Sequence, residues 1–419
     1  MNAPASSRPT SMASSTRHWT EGNRLRLLEN GEAFFPLVFD AIASATQEVL
    51  IETFILFEDQ VGNELQLKLI DAAKRGVHVE LVVDGYGSEE LTPAFITALI
   101  DAGVHFKLFD PQPRKLGYRT NIFRRLHRKT VVIDGKQALI GGINLSAEHL
   151  RAYGPESKQD YAVLVEGPVV EHIHAHFSKN NDVATSPRWR WRSWPLRSRK
   201  PETGDHGKTG AMLVVRDNDQ HRDDIEHVYR IGIRNAKRDI ILANAYFLPS
   251  YRLMREFRRA AERGVKVRLI LQGRPDMPIV RWLARALDDE LLRAGARIFE
   301  YTERPLHAKV AVIDDDWSTV GSSNLDPLSL FLNLESNLVM RDAEFAATLR
   351  SNLEGLIETR CQELTLHKAR LPPMLRRLIS ILAYHLLRRL PSLASGVPVG
   401  SSKPVVVTDQ GLPPLSEHS

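Results

Sequence analysis

The sequence predicts an α/β protein of two pseudo-symmetric lobes, each a mixed sheet flanked by helices, with one active site at the interface between them. Three observations carry this expectation. The pattern His-x-Lys-x4-Asp occurs twice, as His127, Lys129, Asp134 and as His307, Lys309, Asp314. Each His is followed at the same offset by an Asn, Asn144 in IGGINLS and Asn324 in VGSSNLD. A longer echo surrounds these motifs, because AAKRGVHVELVVDG at 72–85 reappears as AAERGVKVRLILQG at 260–273.

Taken in chain order, residues 1–18 form a Ser-, Pro- and Ala-rich leader without the apolar core of a secretory signal. The first lobe is placed at 19–185. It opens on the β-branched run VLIETFIL at 49–56. An Ala-rich helix follows and stops at Gly76, where glycine accepts the left-handed cap, and a strand begins directly after it. LIDAGVHFKLF at 99–109 repeats the pattern of helix end, glycine and strand. The basic stretch PQPRKLGYRTNIFRR then separates this unit from the first His motif, and it has no counterpart in the second half. It is placed beside the site, where it would shape what enters.

A linker is expected at 186–210, rich in Pro, Gly and charge. Its Trp189, Trp191 and Trp194 suit either packing on a lobe or contact with a membrane interface, where amphipathic rings are favoured. The second lobe, 211–365, repeats the order from DIILANAYFL at 239–248 through the helix ending at Gly264 to LLRAGARIFEY at 291–301. Alternation of strand and helix implies parallel crossovers with helices on both sheet faces.

Within LHRKTVVID and LHAKVAVID the His and Lys are two apart in β-branched sequence, so both side chains leave one face of a strand and can converge on an anion. The Asp stands at an odd offset from the His and points the other way, which makes Asp134 and Asp314 structural members of the motif. Asp134-Gly135 reads as a tight hairpin, whose returning strand brings Asn144 back beside His127 and, in the other half, Asn324 back beside His307. Lys ammonium and Asn amide donors suit the charge on a phosphodiester and its transition state. An imidazole from each lobe can then attack phosphorus or protonate the leaving alkoxide. Asp160 and Glu335 stand at corresponding points of the repeat, each at the start of an expected strand, and are assigned to orient the far ring nitrogens. Lys is no usual metal ligand and the histidines lack metal-type spacing, so neither a metal nor another cofactor is expected.

Composition bounds the rest. The chain has 419 residues, 43% of them hydrophobic, enough for two cores. Its one cysteine, Cys361, excludes an intramolecular disulfide framework. A net charge of +5 favours anionic partners, and no segment is apolar enough to span a bilayer.

These motifs resemble the signature of the phospholipase D superfamily, His-x-Lys-x4-Asp followed by Gly-Gly or Gly-Ser and an Asn, here HRKTVVIDGKQALIGGIN and HAKVAVIDDDWSTVGSSN. Through IGGINLSAEH, YGPESKQDYAVLVEGP and LHAKVAVIDDDWSTVGSSNLDPLS, the similarity is greatest to bacterial cardiolipin synthases of the B type, and it covers about residues 20–360. The resemblance implies a phosphatidyltransferase that needs no metal and works through a phosphohistidine, with His127 as nucleophile and His307 as general acid, then base. It implies phosphatidylglycerol as donor and acceptor. Ser322 stands where the first half has Gly142, a difference expected to leave the oxyanion contacts unequal.

That subgroup's lack of paired N-terminal membrane helices matches this chain, so membrane access is assigned to a basic amphipathic tail at 366–394. Leu375, Leu378, Ile379, Leu382 and Leu386 form a helical stripe bracketed by Arg376, Arg377, Arg388 and Arg389. It can lie in an anionic interface or dock on the second lobe. Residues 395–419 are expected to be disordered, and the protein is placed peripherally on the cytoplasmic face of the cell membrane. A nuclease or phospholipase D-type hydrolase using the same two-His site is the alternative enzyme, though a 7% aromatic content offers few stacking platforms for nucleic acid. A lipid-binding scaffold with a vestigial site is opposed by the integrity of both motifs.

Overall fold

The structure is a computed structural model, and it describes residues 18–110, 124–181, 209–274, 287–365 and 404–407. Most of the leader, of the basic insertion and of the Trp-containing linker, and the amphipathic tail, lie outside the described residues.

The first lobe contributes strands β1 (Thr20–Glu29), β2 (Glu48–Thr53), β3 (His78–Asp84), β4 (His105–Phe109), β5 (Thr130–Ile133), β6 (Gln137–Gly141) and β7 (Tyr161–Glu166). The second contributes β8 (Thr209–Arg216), β9 (Asp239–Asn244), β10 (Lys266–Gln272), β11 (Arg297–Tyr301), β12 (Lys309–Ile313), β13 (Trp317–Gly321) and β14 (Glu335–Arg341), followed by β15 (Cys361–Glu363) and β16 (Pro404–Val406). Sheet order is β15-β11-β10-β9-β12-β13-β14-β8-β1-β7-β6-β5-β2-β3-β4-β16. Read outward from the β8–β1 seam, the two halves have one and the same order, as the internal repeat requires. The trio β2, β3, β4 is parallel, as is β9, β10, β11, while the His-motif hairpins run antiparallel to them.

Helices α1 (Asn30–Ser44), α2 (Gln60–Lys74) and α3 (Pro93–Asp101) cover the outer face of the first sheet. Their apolar sides meet Val49, Ile51, Leu81 and Val83 in one core. Helices α5 (Asp224–Asn235) and α6 (Tyr251–Glu262) do the same for the second lobe. On the other side, α4 (Val169–Asn181) and, after the short helix α7 (Pro327–Phe331), α8 (Ala343–Arg360) supply Ile173, Phe177, Leu349 and Leu353 to a core shared by the lobes, which includes Val132 of one and Val312 of the other. Burying this apolar surface from both halves at once makes them one folding body.

The glycines at the ends of the echoed helices do what the sequence demands, with φ of 86° at Gly76 and 87° at Gly264. Three departures stand out. Strands β1 and β8 precede the elements expected to open each half. Alternating outward positions in β1 are charged, as in Arg24 and Arg26, and hide its place at the centre of the sheet. Strand β8 begins at Thr209, inside the stretch assigned to the linker. The final residues are not wholly without structure either, because Val405 and its neighbours pair antiparallel with β4 and Val407 is buried in the first core. The outer edge of β4 would otherwise leave unpaired backbone groups, and the β-branched run PVVV satisfies them.

Candidate active site

Each His sits just ahead of a motif strand and is tied to the opposite lobe. His127 N donates to Leu334 O (3.0 Å), and Leu334 N donates to Arg125 O (2.8 Å). In mirror fashion His307 N donates to Gln159 O (2.8 Å), and Gln159 N donates to Pro305 O (2.9 Å). These crossed ladders place Glu335 and Asp160, the residues directly after Leu334 and Gln159, against the foreign imidazoles. His127 Nδ1 lies 3.0 Å from Glu335 Oε2, and His307 Nδ1 lies 2.5 Å from Asp160 Oδ2. Both carboxylates are fully buried. An ionised carboxylate only accepts, so each ring carries its proton on Nδ1 and presents Nε2 for chemistry.

The lysines approach the same space. Lys129 Nζ donates to His127 O (2.7 Å), and Lys309 Nζ donates to His307 O. Burial pushes Lys129 down to about 7 and Lys309 down to about 8, and each is pushed further by the charge of the other lobe's ammonium or of Lys158. Burial likewise holds both imidazoles below their ordinary range, with His307 feeling Lys309, Lys129 and His127. The four motif side chains therefore share one electrostatic environment. Burial raises Asp160, whereas Glu335 is held low because His127, Lys129 and the Ser322 hydroxyl together outweigh its own burial.

Asp134 and Asp314 do not join this cluster, as their odd offset predicts. Each stands at the far end of its motif strand with positive φ, 51° and 50°. Asp134 accepts from the backbone N–H groups of Thr46, Gln47 and Glu48, and Asp314 from those of Lys237, Arg238 and Asp239. They clamp the start of β2 and β9 to the hairpin turn. Their place in the motif is architectural, and neither carboxylate takes part in the catalytic cluster.

The hairpins return in the expected sense, with Gly141 N donating to Lys129 O (3.3 Å). Asn144 Oδ1 accepts from Ile55 N (3.3 Å), and its Nδ2 is buried with no partner among the described residues. Asn324 is also buried, but there it is Oδ1 that lacks a partner among the described residues. The difference between Gly142 and Ser322 bears on the two carboxylates. Ser322 Oγ donates to Glu335 Oε2 (2.5 Å), whereas a Cβ at Gly142 would lie 2.4 Å from Asp160 Oδ1.

One residue of the cluster was not anticipated. His149, in a short 3-10 turn after Asn144, is wholly buried, and its ring meets that of His307 edge to face at 5.7 Å. Its Nε2 accepts from Asn144 N (3.1 Å). The available signal was a third His near the first motif, AEH, with Ser329 at the same place in the second. His149, Asp160 and His307 form the one group of potential metal ligands among the described residues. Two of its donor atoms are engaged, His149 Nε2 by the backbone N–H of Asn144 and Asp160 Oδ2 by His307, while His149 Nδ1 is buried with no partner among the described residues. That chemistry fits an oriented imidazole better than a metal cage.

A double imidazole site with two lysines, built across a duplicated α/β fold, defines a phosphodiester-processing class. The family model described as "Cardiolipin synthase, PLD-like domain" matches residues 38–180 and 229–357, and the chain belongs to this PLD-like family. It is 53% identical over 382 residues to cardiolipin synthase B of Salmonella typhimurium and 51% identical over 382 residues to that of Escherichia coli K12, with 91% of each chain covered in both cases. A cardiolipin synthase of Geobacillus sp. WCH70 is 33% identical over 356 residues, covering 84% of this chain and 68% of the relative. Among solved structures, phosphatidylserine synthase of Haemophilus influenzae matches with a TM-score of 0.63 at 14% identity, covering 88% of this chain and 95% of that one. That likeness speaks for the fold alone. No helix among the described residues is long and apolar enough to cross a membrane.

Proposed function

We infer that this protein is a phosphatidyltransferase that makes cardiolipin from phosphatidylglycerol. The observation that carries the reading is the crossed pair of carboxylate-held imidazoles, one from each lobe, inside the fold of a family whose relatives are cardiolipin synthases at 51–53% identity.

In the first step His127 Nε2 attacks the phosphorus of one phosphatidylglycerol. A P–N bond forms, the P–O bond to the headgroup glycerol breaks, and His307 gives its proton to the departing alkoxide. In the second step His307 takes a proton from the free hydroxyl of another phosphatidylglycerol, whose oxygen attacks phosphorus as the P–N bond breaks. Cardiolipin and glycerol are the products. Glu335 supports His127 as the nucleophile, because an ionised carboxylate on Nδ1–H raises the basicity of Nε2. Besides burial, the ammonium groups of Lys309, Lys158 and Lys129 depress His307, and the anionic phosphodiester offsets them, which allows that ring to carry the proton its acid role needs. Lys129, Lys309 and the Asn144 amide stabilise the equatorial oxygens. Lipid substrates support a working position on the membrane surface, which we assign peripherally to the cytoplasmic side.

The test is mass spectrometry of lipid products formed from phosphatidylglycerol vesicles, with isotopically labelled glycerol added as a competing acceptor. Cardiolipin and labelled phosphatidylglycerol are expected, and His127→Ala or His307→Ala should abolish both. Release of phosphatidic acid alone would point to a hydrolase, and unchanged turnover in His127→Ala would defeat the mechanism.

A further inference from the structure

We propose that Asn244, outside either motif, supplies the second lobe's amide donor to the phosphoryl group, the part that Asn144 plays in the first. The inference rests on the single phosphodiester site of the preceding reading.

Asn244 is the last residue of β9, fully buried, and lies opposite Lys309 in the antiparallel β9–β12 ladder. Residues directly opposite one another project from the same face of a sheet, so the Asn244 side chain shares the face of Lys309. Two residues before Lys309 stands His307, whose carbonyl the lysine holds. Asn244 thus borders the reacting centre.

Its amide is oriented by the fold. Oδ1 accepts from Leu325 N (3.1 Å), which fixes the flip and turns Nδ2 away from that backbone. Nδ2 is buried with no partner among the described residues. Unsatisfied buried donors are costly, and one facing an anion-binding site has a direct use. Asn144 shows the same state, with Oδ1 fixed by Ile55 N and Nδ2 without a partner among the described residues. Strict repeat symmetry would give the second donor to Asn324, but its Oδ1 is buried with no partner among the described residues, so that amide is not held through its oxygen as Leu325 N holds Asn244. At the strand end equivalent to Asn244 the first half has Thr53, whose hydroxyl donates to Ile55 O (3.0 Å) and so is already used. Each lobe therefore carries one oriented amide, drawn from different positions of the repeat.

Three variants test this, with cardiolipin formation from phosphatidylglycerol micelles and inhibition by inorganic vanadate as the readouts. Asn244→Asp keeps the acceptor for Leu325 N and replaces the donor with an oxygen. Its kcat should fall about 10²- to 10³-fold, the loss typical for one transition-state donor, and vanadate inhibition should weaken at least about tenfold at an unchanged melting temperature. Asn244→Ala should lose a similar factor. Should Asn244→Asp fold poorly, Asn244→Thr decides, since it places the first half's residue at the matching strand end. Folded Asn244→Asp or Asn244→Thr with near-normal kcat and vanadate inhibition would overturn the inference. If the underlying phosphodiester reading were wrong instead, His127→Ala and His307→Ala would also keep their activity.

Discussion

Glu335 Oε2 stands 3.0 Å from His127 Nδ1 although the two residues belong to different lobes, and Asp160 and His307 repeat the relationship in reverse. Each imidazole therefore borrows its orienting charge from the other half of the duplication. Glu335→Gln should keep the shape and lose the fixed tautomer, lowering kcat by roughly 10²- to 10⁴-fold, as for other imidazoles held by a carboxylate. Asp160→Asn should act likewise on the step that uses His307. Rapid-quench measurement of phosphohistidine checks this, and an intermediate formed at the normal rate in Glu335→Gln would contradict the assignment of His127.

The lysines set an unusual alkaline limit. Burial brings Lys129 to about 7 and Lys309 to about 8, so each is charged below its value and neutral above it. The profile of kcat/KM should fall as pH rises through about 7 to 8, well before an ordinary lysine would titrate. On the acid side burial holds His127 below the ordinary histidine range, so the nucleophile should stay unprotonated and activity should persist below that range. A profile flat to pH 9.5 would sink the argument.

Substituting across the repeat gives an asymmetric forecast. Ser322→Gly copies the first half and removes one hydrogen bond to Glu335, which should cost about 1 to 3 kcal/mol of transition-state stabilisation, near tenfold or more in rate. Gly142→Ala drives a methyl group into the Asp160 carboxylate and should be the more damaging change. Steady-state kinetics of the pair would decide, and equal losses would remove the distinction.

Asp134→Ala should injure the fold before the chemistry. It deletes the acceptor of three backbone N–H groups at the start of β2, worth roughly 1 to 3 kcal/mol by denaturant midpoint. Those hydrogen bonds together hold its carboxyl below the ordinary 3.8 against the effect of burial. The folded-state value is thus depressed, so the contribution is complete above the unfolded value and disappears as pH falls through the folded one. A variant with normal stability but a collapsed kcat would overturn this division of labour.

Chelation should have no effect. The proposed steps use only imidazole, ammonium and amide groups, and His149 Nε2 and Asp160 Oδ2 are held by protein partners, so full activity is expected after dialysis against EDTA. Loss of cardiolipin formation, restored by added zinc, would refute that.

Much of this was legible in the residues. Two copies of one motif with matching Asn residues announced a duplication, and the glycine-capped helices marked the succession of helix and strand within each lobe, though not the central strands β1 and β8. Parity along a strand separated Asp134 from His127. Crossing of the carboxylates was not legible, because spacing within a half says nothing about which half a side chain will meet. His149 and Asn244 were hidden for a similar reason. Each has a partner that a distant turn or neighbouring strand delivers, and neither has an identical counterpart in the repeat to flag it.

The crossed ladders also bear on how the enzyme is made. His127 must wait for a residue 208 positions later, while His307 arrives 147 positions after its own partner. A ribosome-bound chain that has completed only its first lobe therefore displays an imidazole without its carboxylate, and is chemically mute toward the lipids around it. Competence switches on late in synthesis, when the C-terminal half closes onto the waiting N-terminal one.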